Sequence, residues 1–273
     1  DLLKTKQGEY RMKRKITFFI RAMVFLLSGF GSYCFAASSI LVWPIYQVIE
    51  SDENSSALWL ENKGTAPVGL QIRIMSWKQI DFQDRYAEQS NVIATPPFMT
   101  LEPGKRNMVR LIRVNPTPAN TEMAYRIIVD EIAAPYQQDA PQMGLQFQMR
   151  YLLPLFLDGA GIWTHMRPEK RRANAEPTLP VLSWRVSAVG GKNYLYVRNR
   201  GVVHARLSNI YWSADQNGKG SRRTTITDGF LGYVLPGQEM RWPLPAGVST
   251  PGAGMQLFTH LIDIHDPILI KRE

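Results

Sequence analysis

Residues 144–157 read Gly144-Leu145-Gln146-Phe147-Gln148-Met149-Arg150-Tyr151-Leu152-Leu153-Pro154-Leu155-Phe156-Leu157. Leu145, Phe147, Met149, Tyr151 and Leu153 alternate with Gln146, Gln148, Arg150, Leu152 and Pro154. That is the two-residue period of an extended strand with one apolar face. Arg150 is its single charge. Such a strand at a sheet edge offers unpaired backbone to any passing chain, so a protein that keeps one at its rim is using it to pair with another chain.

Outward from this stretch the pattern repeats. Short apolar runs at 40–48, 56–61, 68–77, 106–113, 124–132 and 145–157 are predicted strands. Asn62-Lys63-Gly64, residues 81–89, Pro96-Pro97, Pro103-Gly104 and Pro116-Thr117-Pro118 read as the turns between them. No long helical period intervenes. Strands at this spacing predict a β-sandwich. Residues 158–180 change character, with Gly159-Ala160-Gly161, the charged run 167–172, Pro177 and Pro180, and read as a linker. A second set of strands is expected at 181–188, 194–199, 205–213, 224–231, 239–244 and 255–264. The fold class is therefore all-β, with two sandwich domains of a normal size for that architecture.

The formal net charge of +9 overstates the basic character of the folded part. Seven basic and two acidic residues lie in the first 36, leaving 25 basic and 21 acidic residues beyond them. A nucleic-acid partner suggested by the high pI loses its basis. Met12-Lys13-Arg14-Lys15, the apolar runs 16–20 and 22–27, and Cys34-Phe35-Ala36 read as a cleaved secretory signal, with Arg21 interrupting any membrane span. The expected organisation is an upstream extension at 1–11, a signal peptide at 12–36, a first domain at 37–157 carrying the edge strand 145–157, a linker at 158–180 and a second domain at 181–273. Cys34 is the only cysteine, so the exported protein is built without disulfides and rests on core burial.

Leu101-Glu102-Pro103-Gly104-Lys105-Arg106-Asn107-Met108-Val109-Arg110-Leu111 resembles a segment of the periplasmic chaperones of the chaperone–usher pilus pathway. Residues 122–132 resemble the next strand of that family, Ala57-Leu58-Trp59-Leu60-Glu61-Asn62 its second strand, and 193–213 the start of its second domain. Trp43-Pro44, Leu60-Glu61-Asn62 and residues 151–156 most resemble its archaic branch, which builds thin fimbriae and spore-coat-like pili. The resemblance implies two immunoglobulin-like sandwiches joined at an angle, a location in the Gram-negative periplasm, pilus or fimbrial subunits and an outer-membrane usher as partners, and no enzymatic activity or cofactor. It implies donor-strand complementation: Leu145, Phe147, Met149, Tyr151 and Leu153 fill the open groove of an incomplete subunit sandwich, which the usher later completes with another subunit. The physics agrees. An added strand satisfies backbone groups and its alternate side chains fill pockets, each worth roughly 1.5–3 kcal/mol before ordering costs. The open edge also allows self-association.

The resemblance further implies a basic anchor for the subunit's terminal carboxylate. The first-strand position for it is Tyr46, which is not cationic, so the candidates are Arg150 on the edge strand, Arg113 and Arg126. By position it implies an interdomain charge triad of Arg110, Glu122 and Asp263, with Arg110 and Glu122 on neighbouring strands, and a usher-docking loop around Pro67. Read without the resemblance, Arg150 is a solvated outward residue, the triad three surface charges and Pro67 a turn proline. His260, Asp263, His265 and Asp266 form the one metal-like cluster, but strand parity separates 260 from 263 and 265, so no metal is expected. His165 and His204 read as isolated, and Lys170-Arg171-Arg172 as a solvated linker face. No Gly-x-Ser-x-Gly elbow, phosphate loop or CxxC pair is present. The rival readings are a secreted structural sandwich, such as a pilin-like subunit or an adhesin, and an exported hydrolase, for which no catalytic constellation is found.

Overall fold

The computed structural model describes residues 40–132, 148–172, 176–248 and 250–273. The upstream extension, the signal peptide with Cys34, and the edge-strand residues Leu145 and Phe147 lie outside the described residues. Every regular element among those described is a strand. The first domain contains β1 (Ile40–Trp43), β2 (Gln47–Ile49), β3 (Ser55–Asn62), β4 (Val68–Ile80), β5 (Gln83–Ala87), β6 (Val92–Thr95), β7 (Phe98–Leu101), β8 (Arg106–Arg113), β9 (Glu122–Ile132) and β10 (Arg150–Asp158). The second contains β11 (Leu182–Val189), β12 (Lys192–Asn199), β13 (Ala205–Ser213), β14 (Arg223–Val234), β15 (Glu239–Pro243), β16 (Gln256–His260) and β17 (Ile268–Arg272).

The first domain is a sandwich of one sheet ordered β1-β3-β8-β6 against another ordered β2-β10-β9-β4-β5, with β7 also on β4. Its interior is filled by alternate residues such as Leu58, Leu60, Leu70, Ile72, Val109, Leu111, Ile127 and Val129. The predicted first strand is two strands. Pro44, which lacks an N–H, ends the ladder with β3, and β2 then joins the opposite sheet beside β10. Residues 81–89, expected as loop, include a hairpin strand. Asp81 and Phe82 form its two-residue turn, both with positive φ (52° and 61°), as a type I′ turn requires. The usual Asn-Gly signal is missing, and Phe82 is held there by edge-to-face contact with Tyr196 of the second domain.

In the second domain the strands run β14-β13-β16-β17-β11-β12-β15. β17, which sequence reasoning missed, links the layers by pairing antiparallel with β16 and parallel with β11. The core centres on Trp184, Trp212, Leu195, Leu207 and Leu257. A third apolar cluster joins the domains: Val48, Trp77 and Phe156 from the first, Tyr233 and Leu235 from the second.

Candidate functional site: an open edge and an interdomain junction

β10 is paired with β9 along its whole length, from Arg150↔Asp130 to Asp158↔Glu122. On its other side β2 covers only Leu155, Phe156 and Leu157. Among the described residues, 150–154 therefore have one strand neighbour and one open side. Pro154 stands at the boundary, where a missing N–H is tolerated. Leu152 (41% exposed) and Met149 (45%) are both accessible there.

Burial alternates from Arg150 to Leu153 and is then continuous to Asp158, so the odd-numbered face serves two purposes among the described residues. Leu153, Leu155 and Leu157 belong to the domain's own core, and Tyr151 packs against it while its hydroxyl donates to Ile40 O at 2.9 Å. Leu153 and Tyr151 are therefore not free to enter a subunit groove. The odd-numbered face becomes accessible only at Met149, where the first domain's own interior runs out.

The three candidate anchors differ. Arg113 is half-buried and donates to Thr117 Oγ1 and to the carbonyls of Ile49, Glu50 and Asp158, tying the ends of β2 and β10 together; burial lowers its pKa. Arg126 lies with its guanidinium 3.6 Å from the Trp77 ring centroid and 5.2 Å from that of Tyr233, close to Asp84. Both are structural cations. Arg150 is exposed and shares Asp130 with Arg73, two cations on one carboxylate. Burial alone would raise the Asp130 pKa, but hydrogen bonds from Arg150 and Arg73 outweigh it and hold the carboxyl below its usual value.

Arg110, Glu122 and Asp263 are not brought together. β8 and β9 lie in different sheets, so Arg110 is not on a strand neighbouring Glu122. It is exposed, near Ser55 Oγ. Asp263 pairs with His165 at 2.6 Å, and Asp266 with Lys219 at 2.8 Å. Glu122 instead meets His204. Its Oε1 accepts from the His204 backbone N–H and its Oε2 faces Nδ1, both at 2.8 Å, while Nε2 lies 2.8 Å from Tyr46 Oη. Neither histidine is isolated. Sequence reasoning missed His204 because its partner is 82 positions away. A second junction contact comes from buried Gln79, whose amide donates to Tyr233 O and accepts from Leu235 N–H, each at 2.9 Å.

The linker also departs from expectation. Ile162 and Trp163 are buried, and Lys170 and Arg172 are not solvated but donate to Glu50 at 2.6 and 2.7 Å. Arg167 pairs with Glu53. Pro67 is exposed in the β3–β4 loop. A cleft of about 640 Å³ opens between the domains, lined in part by Trp77, Phe82, Asp81, Glu122, Leu235 and Glu239. Lys78 is the one cation among its lining residues, against the carboxylates of Asp81, Glu122 and Glu239.

A sequence model of the family "Pili and flagellar-assembly chaperone, PapD N-terminal domain" matches residues 45–162. A sequence search of curated proteins finds no match. Among solved structures, this chain is similar to one in the CsuC–CsuE chaperone–tip adhesion subunit pre-assembly complex from archaic chaperone–usher Csu pili of Acinetobacter baumannii. The identity is 30% and the TM-score 0.65, over 86% of this chain and 99% of that one. The E. coli chaperone DraB shares the fold at 17% identity and a TM-score of 0.54, over 87% of this chain and 98% of that one. So does a chain of the Salmonella enterica SafA pilin–SafB chaperone complex, at 17% and 0.53, over 82% and 89%. With two immunoglobulin-like sandwiches and relatedness along nearly the whole folded chain, this protein belongs to the family of pilus-assembly chaperones.

Proposed function

We propose that this assembly chaperone works in the periplasm, in the archaic branch of the chaperone–usher pathway, and holds an unfinished pilus subunit on the open side of β10 until an outer-membrane usher takes it. The observation that carries the reading is the flank of residues 150–154 left without a partner among the described residues, in a strand whose other side is fully bonded. An incomplete sandwich has the complementary defect, a groove and a row of unpaired backbone groups. The apolar face that forms the chaperone's own core from Tyr151 to Leu157 continues as Met149, Phe147 and Leu145 into the subunit's groove. Arg150, with Arg73 beside it, offers the subunit's terminal carboxylate a net positive charge on the same edge. In the free protein the open edge is available to a second copy.

Co-expression with a candidate subunit tests this. Wild type is expected to yield a soluble one-to-one complex. Phe147→Glu with Met149→Glu should abolish it, forfeiting roughly 1.5–3 kcal/mol at each pocket, while the free chaperone stays folded because Met149 is already exposed. A subunit that is soluble alone, or a complex indifferent to both substitutions, would overturn the reading.

A further inference from the structure

We propose that His204 is the positioning residue that fixes the two sandwiches relative to one another and couples that orientation to the donor strand. It stands immediately before β13 in the second domain, its side chain 3% exposed. Among the described residues, the polar contacts of its ring and of its backbone N–H are all to the first domain. Glu122, at the start of β9, receives the backbone N–H and Nδ1, and Tyr46, just before β2, meets Nε2. The ring also lies flat on Phe156 of β10, centroids 3.5 Å apart and planes within 1°. Three elements of the first domain thus converge on one side chain of the second, and one of them is the strand that presents the open edge. The Glu122 carboxylate at Nδ1 selects the tautomer with hydrogen there, leaving Nε2 to accept from the Tyr46 hydroxyl. Burial, with the nearby Glu122 charge, holds the Tyr46 hydroxyl well above its ordinary pKa, so it stays a donor.

The charged and titratable groups around this node are few. Asp158 faces Glu122 across the β9–β10 ladder. His165, paired to Asp263, meets the Tyr46 ring edge-on at 5.2 Å, and Tyr233 lies 6.0 Å from the His204 ring. Arg206 lines the small pocket beside Tyr46 and His204. The other polar junction contact, Gln79, reaches the second domain only at the backbone of Tyr233 and Leu235, while its amide also donates to Asp84 in the first domain. Loss of His204 therefore leaves Gln79, the Phe82–Tyr196 contact and the apolar junction cluster to hold two intact cores, with no polar contact among the described residues from the second domain to Glu122.

The experiment uses the free mature chain, so its outcome is independent of subunit binding; only the consequence for capture rests on the proposed function. Residual dipolar couplings of backbone amides give an alignment tensor for each sandwich. In wild type the two tensors are expected to coincide, and long-range nitrogen–proton correlation should show His204 with its hydrogen on Nδ1. In His204→Ala the tensors should diverge while amide fingerprints remote from the junction persist, and affinity for the subunit should fall about tenfold. His204→Gln, which restores a side-chain donor toward Glu122, should recover part of the common alignment. If His204→Ala does not fold, Tyr46→Phe removes one hydrogen bond and keeps the ring, and a smaller divergence is expected. Coincident tensors in a folded His204→Ala or Tyr46→Phe protein, or a hydrogen on Nε2 in wild type, would overturn the proposal.

Discussion

Asp158 is fully buried, and neither carboxyl oxygen has a hydrogen-bond partner among the described residues. Burial, then the charges of Glu122 and Glu50, push its pKa from 3.8 up to about 8, against the opposing pull of Arg113 and Arg172. A carboxyl whose folded pKa exceeds its unfolded value binds more protons in the folded state. Its contribution to stability is therefore intact below the unfolded pKa and is lost as pH rises from about 4 to about 8. Within that window the loss approaches 1.4 kcal/mol for each pH unit. Asp158→Asn carries the neutral shape at every pH. Urea midpoints at pH 5 and pH 8 should differ less in this variant than in wild type, and the variant should be the more stable at pH 8. An unchanged pH difference would mean that Asp158 ionises in water-filled space. At this scale the sequence was legible in parity and illegible in partnership. The odd-numbered face of 145–157 could be read from alternation, yet nothing local says where along that face the protein's own core ends, so Tyr151 and Leu153 were placed in the groove. Glu122 was singled out for a triad with Arg110 and Asp263, whereas it meets His204 of the second domain, a partner that spacing could not find.

Strands carry a second regularity that spans the domains. β3 ends in Asn62-Lys63-Gly64 and β12 in Asn199-Arg200-Gly201, and both asparagines are wholly buried. Asn62 donates to the carbonyls of Ala66 and Leu101 and accepts from the Gly64 N–H. Asn199 does the same with Val203, Val234 and Gly201, and also accepts from Val181 N–H. Each amide thus closes a corner that would otherwise bury unpaired backbone. Asn62→Ala or Asn199→Ala strands at least two carbonyls and should cost about 2–4 kcal/mol, read from denaturant midpoints; Asp in place of Asn lacks the donor and should do no better. A loss below 1 kcal/mol would show that water replaces the amide. The Asn-x-Gly turn after the third strand was visible in the sequence, whereas its counterpart in the second domain became visible only as a shared geometry. Elements defined by alternation (β3, β4, β8, β9, β12, β13) were located to within a few residues. Those missed, β5 to β7 and β17, are short or polar, or follow a turn without the usual glycine, and they exist because neighbouring strands supply the pairing.

At the scale of the whole molecule, two sandwiches were legible from strand spacing, but what binds them together was not, because junctions are made of residues distant in sequence. The linker shows this most clearly. Its basic run, read as solvated, is a clamp. Glu50, with its side chain 3% exposed, receives Lys170 and Arg172, with Arg167 at 3.4 Å. Glu53 and Asp52 take further contacts from Arg167 and Lys170. Burial alone would raise the Glu50 pKa, but hydrogen bonds from Arg172 and Lys170 and the charge of Arg167 outweigh it and leave the carboxyl below its usual value. The clamp therefore holds above the unfolded carboxylate pKa and opens only as pH falls through the lower folded value. Removing the buried anion leaves Arg172 without a carboxylate and Arg167 and Lys170 with only the more exposed Glu53 and Asp52. Losing a buried partner costs up to about 3–5 kcal/mol, felt first in the linker that carries all three cations. Glu50→Gln should expose Arg167, Lys170 and Arg172 together, so that trypsin cuts between 167 and 172 at least tenfold faster than in wild type while the thermal transition of the two sandwiches moves little. Glu53→Gln, which removes a more exposed partner, should accelerate cleavage far less. Equal cleavage of wild type and Glu50→Gln would mean that Trp163, buried beneath Arg172 with the guanidinium 4.1 Å from its ring, secures the linker by packing alone.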